Sequence, residues 1–209
     1  MKRIRFCFYV SGSYDKPLSR LIGNIGYIAN RKDVLKIFGR KTLVSHEEIE
    51  FCDRWSEMVA PPLFWNKLKG ICFSSATRGG KTGVRFAPSS EILKHPERWI
   101  YITVELPEEV EKAMFDAAKS IEGAGYDYLG IIGKTTWFTG WFHSYNRYYC
   151  SEACNWVACE VNKATKWDCE EFDVLDWMKW QQCYSKHRRL SPVANLILMA
   201  KAGYKITKE

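Results

Sequence analysis

Four strand-like segments lie close together in the chain, and helical patterns lie on either side of them. They cover residues 42–51, 70–76, 83–87 and 99–106, and several are rich in β-branched and aromatic side chains and bounded by turn residues. Residues 4–10 also alternate as a strand does. Strands grouped in this way and flanked by helices predict an α+β fold with a mainly antiparallel sheet.

The chain is predicted to form a single domain over residues 1–209, with an insert at about 52–69 and a polar tail at about 201–209. A hydrophobic content of 46% indicates a globular protein. No apolar run approaches the roughly 18 residues that a membrane-spanning helix requires. The first ten residues are interrupted by Arg5 and lack a cleavage site, so they are typical of a strand rather than a signal peptide. We therefore expect a cytoplasmic protein.

Charge and cysteine spacing argue against several functions. The net charge of +7 is spread along the chain, with its densest cluster at residues 186–189, so a solvated surface is favoured over nucleic-acid binding. The last five of the eight cysteines contain no C-x-x-C pair, which argues against a zinc site and a disulfide framework and for free thiols in a reducing compartment. The glycines at 79 and 80 sit in a hairpin, so a nucleotide-binding loop is rejected. No cofactor is predicted.

Several helices are expected around the sheet. A short helix over residues 18–29 is expected to break near Gly23 and Gly26, and residues 30–41 are expected to be irregular. Pro107 opens a helix that ends near Gly123. Another helical stretch is expected at 173–180, after an aromatic segment at 134–147, and Ser191 caps a last helix.

Cys150 is the candidate nucleophile. It follows two tyrosines and opens a predicted helix that runs to about residue 163. A cysteine at a helix N-terminus lies near unpaired backbone N–H groups and the positive end of the helix dipole, and both favour the reactive thiolate. The alternative is a buried structural cysteine, because cysteine is among the most buried residue types.

His46 is the candidate base. Alternation along the strand puts it on one face with Glu48, while the other face is largely apolar and should pack on the core. Imidazole exchanges protons near neutral pH, and a carboxylate beside it would steady the imidazolium. A structural ion pair is the alternative for Glu48. The other histidines, His95, His143 and His187, lie in a loop, the aromatic segment and a basic region.

An ordered set of motifs carries a family resemblance. The set comprises the strand around His46, residues 73–75 with the following hairpin, Trp99 opening a strand, residues 125–130, the Tyr-Cys-Ser-Glu run at 149–152 and the Leu-Ser-Pro run at 190–192. In this succession the chain resembles the permuted papain-like amidases and peptidases of the YaeF/YiiX type, within the NlpC-like superfamily, and particularly short forms encoded by bacteriophages. The resemblance covers roughly residues 10–196.

The resemblance implies a thiol protease-like hydrolase with Cys150 as nucleophile and His46 as base. Glu48 is the predicted third catalytic residue, with Ser74 and Ser75 as rivals. Ser151, Tyr126 and Ser74 are predicted to contact substrate, although Tyr126 with Asp127 also suits a purely structural function. The insert at 52–69 departs from the family pattern and bears on substrate access.

Two classes of function follow from these features. The first is an amidase, peptidase or acyltransferase acting on an amide or ester, such as a peptidoglycan peptide, an isopeptide or a lipid. If phage-encoded, it would act in the host cell or in the virion. The second is a catalytically silent binding or host-interaction protein on the same scaffold. A metal site built from His46, Glu48 and cysteines is a third, less favoured hypothesis.

Overall fold

A computed structural model describes residues 1–55, 69–78, 81–128, 146–165 and 191–208, and the description below concerns these residues. A six-stranded sheet with the strand order β4-β3-β2-β1-β5-β8 forms its centre. In chain order the elements are β1 (Lys2–Val10), α1 (Pro17–Ala29), α2 (Arg31–Phe38), β2 (Val44–Trp55), β3 (Lys69–Arg78), β4 (Lys81–Pro88), α3 (Ser89–Ile92), β5 (Trp99–Leu106), α4 (Glu108–Ser120), β6 (Gly125–Tyr126), β7 (Arg147–Tyr148), α5 (Cys150–Thr165), α6 (Pro192–Lys201) and β8 (Ile206–Thr207).

Every neighbouring pair in the large sheet is antiparallel. A separate parallel pair joins β6 to β7 directly before the helix that begins at Cys150. The α+β class with a mainly antiparallel sheet flanked by helices is therefore confirmed. The hairpin of β3 and β4 and the strand at 99–106 also form where the sequence predicts them.

One face of the sheet carries the main core. Alternate residues of β1, such as Phe6 and Phe8, are fully buried there, as the two-residue period of a strand requires. The stripe Val110, Met114 and Ala118 of α4 belongs to the same cluster, together with α5 and α6. Burying one such aliphatic or aromatic side chain contributes about 1.5–3 kcal/mol, so this layer fixes α5 against the sheet.

The expected break in α1 is wrong, because both glycines serve close packing within a continuous helix. A Cβ at Gly26 would lie 2.8 Å from Val193 Cγ1, and one at Gly23 would lie 3.0 Å from Leu43 Cβ. The absent side chains let α1 approach β2 and α6. The glycine cost in helix propensity, about 1 kcal/mol each, is thereby offset by packing.

Three other segments differ from expectation. Residues 30–41 were expected to be irregular but contain α2, which ends at Gly39 with a left-handed φ of 66°, a conformation that glycine adopts without strain. The strand β2 continues to Trp55, beyond the predicted start of the insert. The polar tail contributes β8, which pairs with β5. Three predicted segments lie outside the described residues: the remainder of the insert, most of the aromatic segment and the helix predicted at 173–180.

Within the described ranges, no helix combines the length and the apolar character that crossing a membrane requires.

Candidate active site

His46 and Glu48 meet on one face of β2, as their alternation predicts. The distance from His46 Nε2 to Glu48 Oε1 is 2.8 Å. The Glu48 side chain is fully buried and that of His46 is 13% exposed. Since Nε2 bonds to Glu48, Nδ1 is the ring nitrogen left for a partner on the opposite side of the imidazole.

The hydrogen-bonded pairing of β2 with β3 stops short of His46, and the first turns of α5 lie beside the strands there. The pairing of β2 with β3 begins at Ile49 and Phe73. Nearer to His46, two serine side chains of β3 donate to backbone carbonyls: Ser74 Oγ donates to the Glu47 carbonyl over 2.6 Å, and Ser75 Oγ donates to the Tyr148 carbonyl. The Ser74 bond joins β3 to β2, and the Ser75 bond holds β3 against β7, which directly precedes α5.

Cys150 is the first residue of α5 and is 6% exposed. Its sulfur is hydrogen-bonded to the His46 side chain and accepts from the backbone N–H groups of Glu47 and Ser151. Burial acts to raise the pKa of the Cys150 thiol, but the His46 charge and these hydrogen bonds prevail and lower it below its ordinary value. The predicted nucleophile and base are thus in direct contact.

The His46 imidazole responds in the opposite direction. Burial acts to lower its pKa, but the neighbouring Cys150 thiolate and the Glu48 carboxylate together raise it to about 9. The lowered pKa of the Cys150 thiol and the raised pKa of the His46 imidazole both favour the thiolate–imidazolium form of the pair. This is the ionisation state in which a cysteine is nucleophilic and a histidine can act as an acid.

Trp99 closes a further side of the imidazole. Its ring lies edge-on to His46, with centroids 6.4 Å apart, and Tyr9 packs edge-on against Trp99 at 5.2 Å. Trp99 is 1% exposed. The sequence indicated Trp99 only as the start of a strand, and the cross-strand register Tyr9–His46 and Tyr9–Trp99 is what brings it to the site.

The three predicted substrate contacts lie in different surroundings. Tyr126 is half-buried; burial and then the nearby Cys150 raise the pKa of its phenol, so the pairing of β6 with β7 brings it to the nucleophile. Ser74 and Ser151 have no exposed surface. Ser74 Oγ is bonded to the Glu47 carbonyl. Substrate contact by these residues stays a prediction.

A buried polar cluster beneath the site was not predicted. Asn195 Nδ2 donates to Glu47 Oε2 over 2.8 Å and to Asn155 Oδ1 over 3.0 Å. These three residues connect β2, α5 and α6, and all three are at most 3% exposed. The available signal was a glutamate on the core-facing side of β2, between Ser45 and Ile49, where an isolated charge needs a partner.

No cluster of three or more histidine, cysteine, aspartate or glutamate side chains suited to a metal ion occurs in the part of the chain that the structure describes. No family model matches the chain, and neither a curated protein nor a solved structure matches it.

Proposed function

We propose that this protein is a thiol hydrolase or acyltransferase that acts on an amide or ester. The observation that carries the proposal is the contact of His46 with both Cys150 and Glu48, whose carboxylate lies 2.8 Å from Nε2. Nucleophile, base and orienting carboxylate in series are the arrangement that activates a weak nucleophile.

In the proposed reaction the Cys150 sulfur attacks the substrate carbonyl and forms a C–S bond. The imidazolium of His46 gives its proton to the departing nitrogen or oxygen as the carbonyl bond to it breaks. Water or another acceptor then attacks the thioester, His46 takes its proton, and the C–S bond breaks to regenerate the thiolate. The Cys150 backbone N–H at the start of α5 is the proposed first oxyanion donor.

The proposal includes the permuted papain-like topology, with the histidine strand before the cysteine helix. Three observations support it: His46 lies on a central strand, Cys150 opens a helix packed on the same sheet, and the chain order is histidine first. Peptidoglycan peptides, isopeptides and lipid esters remain the proposed substrate classes, since fold alone does not distinguish them.

Acyl-enzyme trapping tests this function. Native protein is mixed with a panel of activated esters and anilides, and its intact mass is followed together with product release. We expect an acyl adduct on Cys150 that decays with turnover, no adduct in Cys150→Ser, and an unchanged adduct in Cys154→Ser. A reactive Cys150 without acylation by any member of the panel would favour the silent binding protein instead.

A further inference from the structure

A second concave feature lies apart from Cys150. It is a cavity of about 340 Å³ where the ends of β1, β5 and α2 meet β8. Its apolar wall consists of Val10, Phe38, Ile100 and Ile206. These four residues belong to or pack against the main core, whereas Trp99, which contacts His46, belongs to the cluster on the other face. The residues that line the cavity include none of His46, Glu48, Trp99 and Cys150, so it is separate from the candidate active site.

The rim of this cavity is positively charged. Arg40, Lys41 and Lys208 line it, and no carboxylate does so among the described residues. None of these three cations forms an ion pair within the described ranges; Lys41 Nζ lies over the Tyr27 ring at 5.4 Å from its centroid. Several cations that line one apolar cavity without ion-pair partners create a positive potential that favours an anionic ligand.

Within the described ranges, the negative charge near the cavity is smaller than the charge of these three cations. The closest helix end is that of α2, whose C-terminus contributes roughly half a negative charge against three full positive charges. The α2 carboxylate Asp33 is engaged by Lys201 at 2.9 Å. Glu209 follows Lys208 in the chain and lies outside the described residues.

We propose that this cavity binds a small amphipathic anion, with its carboxylate or phosphate head at Arg40, Lys41 and Lys208 and a short aliphatic body against Val10, Phe38, Ile100 and Ile206. The volume is at the lower end of the range of about 300–1,000 Å³ for small-molecule sites, which fits one short chain. Apolar walls with a few convergent charged groups are the usual composition of such a site. The proposal is independent of the hydrolase function.

Calorimetric titration of the full chain tests the proposal with four probes below their micellar concentrations. Decanoate and decyl phosphate carry both parts of the ligand, decanol lacks the charge, and inorganic phosphate lacks the chain. We expect at least one amphipathic anion to bind about tenfold or more tightly than either partial probe. Stronger binding of decanoate or of decyl phosphate identifies the head group.

Two matched double variants locate the binding. Arg40→Gln with Lys208→Gln should weaken the anion about tenfold, because two charge-assisted contacts are lost. Lys32→Gln with Lys36→Gln removes the same net charge from exposed positions of α2 and should leave binding unchanged. Cys150→Ala should also bind normally, which separates this site from the proposed catalysis.

Three results would overturn the proposal: no binding of either amphipathic anion, equal binding of a partial probe, or equal loss in the two double variants. The comparison of the four probes uses only wild-type protein, so it decides the question even if a variant is unstable.

Discussion

Two cysteines on α5 lie one helical turn apart in sharply different surroundings. Cys150 and Cys154 are both buried, at 6% and 0% exposure. The pKa of Cys150 is nevertheless lowered, whereas burial and the Glu47 carboxylate raise the pKa of Cys154 well above its ordinary value. Cys154 Sγ faces the Glu47 carbonyl oxygen at 3.9 Å, but Cys150 Sγ receives N–H groups and an imidazole.

Burial alone therefore does not decide whether a thiol pKa is raised or lowered in this protein. Burial acts to raise the pKa of both sulfurs, and the neighbouring groups decide whether thiolate or thiol prevails. The thiols of Cys7 and Cys72, on the other face of the sheet, behave like that of Cys154, because burial also raises their pKa. Burial likewise raises the pKa of Cys52 to about 12.

Exchanging each sulfur for oxygen should give the largest difference in activity between the two positions. Cys150→Ser should abolish acylation and turnover, because serine lacks a thiolate-forming group at this position. Cys154→Ser is the matched control: its hydroxyl can keep the donation to Glu47, and activity should stay close to wild type. Turnover of a reactive ester by the two variants measures this, and equal activities would contradict the assignment of Cys150.

Removing the imidazole should make Cys150 resemble Cys154. In His46→Gln the thiol loses its charged partner, and only a few per cent of an ordinary cysteine is thiolate at pH 7. The alkylation rate of Cys150 at that pH should therefore fall about tenfold or more. His95→Gln is the control, since His95 is exposed and lies beside Glu97 instead. An unchanged rate in His46→Gln would remove the proposed pair.

Removing the carboxylate should have a smaller effect, visible in the pH profile. The pKa of His46 is raised to about 9, so turnover, which needs the imidazolium as an acid, should fall as pH rises through about 9 while alkylation continues. Glu48→Gln removes a group that favours the charged ring. The falling limb should then move to lower pH by roughly one unit.

Glu50→Gln is the control for that shift, because Glu50 lies on the same strand face and pairs with Arg5 at 3.4 Å. An identical falling limb in wild type and Glu48→Gln would show that the carboxylate does not support the imidazolium.

The cluster beneath the site should affect stability more than reactivity. Asn195→Ala removes the amide that donates to the buried Glu47 carboxylate. The free energy of unfolding should fall by about 1–3 kcal/mol, as when one partner of a buried polar pair is lost. Urea unfolding measures it, with Asn24→Ala as control, because Asn24 is only half-buried and its amide donates to the Arg20 carbonyl rather than to a buried charge. A loss no larger than that of Asn24→Ala would mean that the cluster does not hold α5 and α6 to β2.

The local sequence pattern was sufficient to predict part of this structure. The period of two in β2 predicted the His46–Glu48 face, and the residues around Cys150 predicted the helix start, because both signals lie within a few residues of the site. The mainly antiparallel sheet followed from the order of strands. Each of these features depends on neighbours in sequence.

The missed features depend on partners distant in sequence. Glu47 and Asn195 are 148 residues apart, and nothing local to either indicates the other. Trp99 reaches His46 only through the strand register, and β8 forms only because β5 offers an edge. Gly23 and Gly26 resembled helix breakers because the packing that requires them is tertiary.

The most direct test of the account is the alkylation rate of every cysteine in native wild-type protein as a function of pH, followed by peptide mass spectrometry. We expect Cys150 to react fastest, with a midpoint below the ordinary thiol pKa of about 8.5, while Cys154 stays unreactive one turn away. A Cys150 that reacts no faster than Cys154, or only above that ordinary pKa, would contradict the thiolate–imidazolium pair on which the proposed function depends.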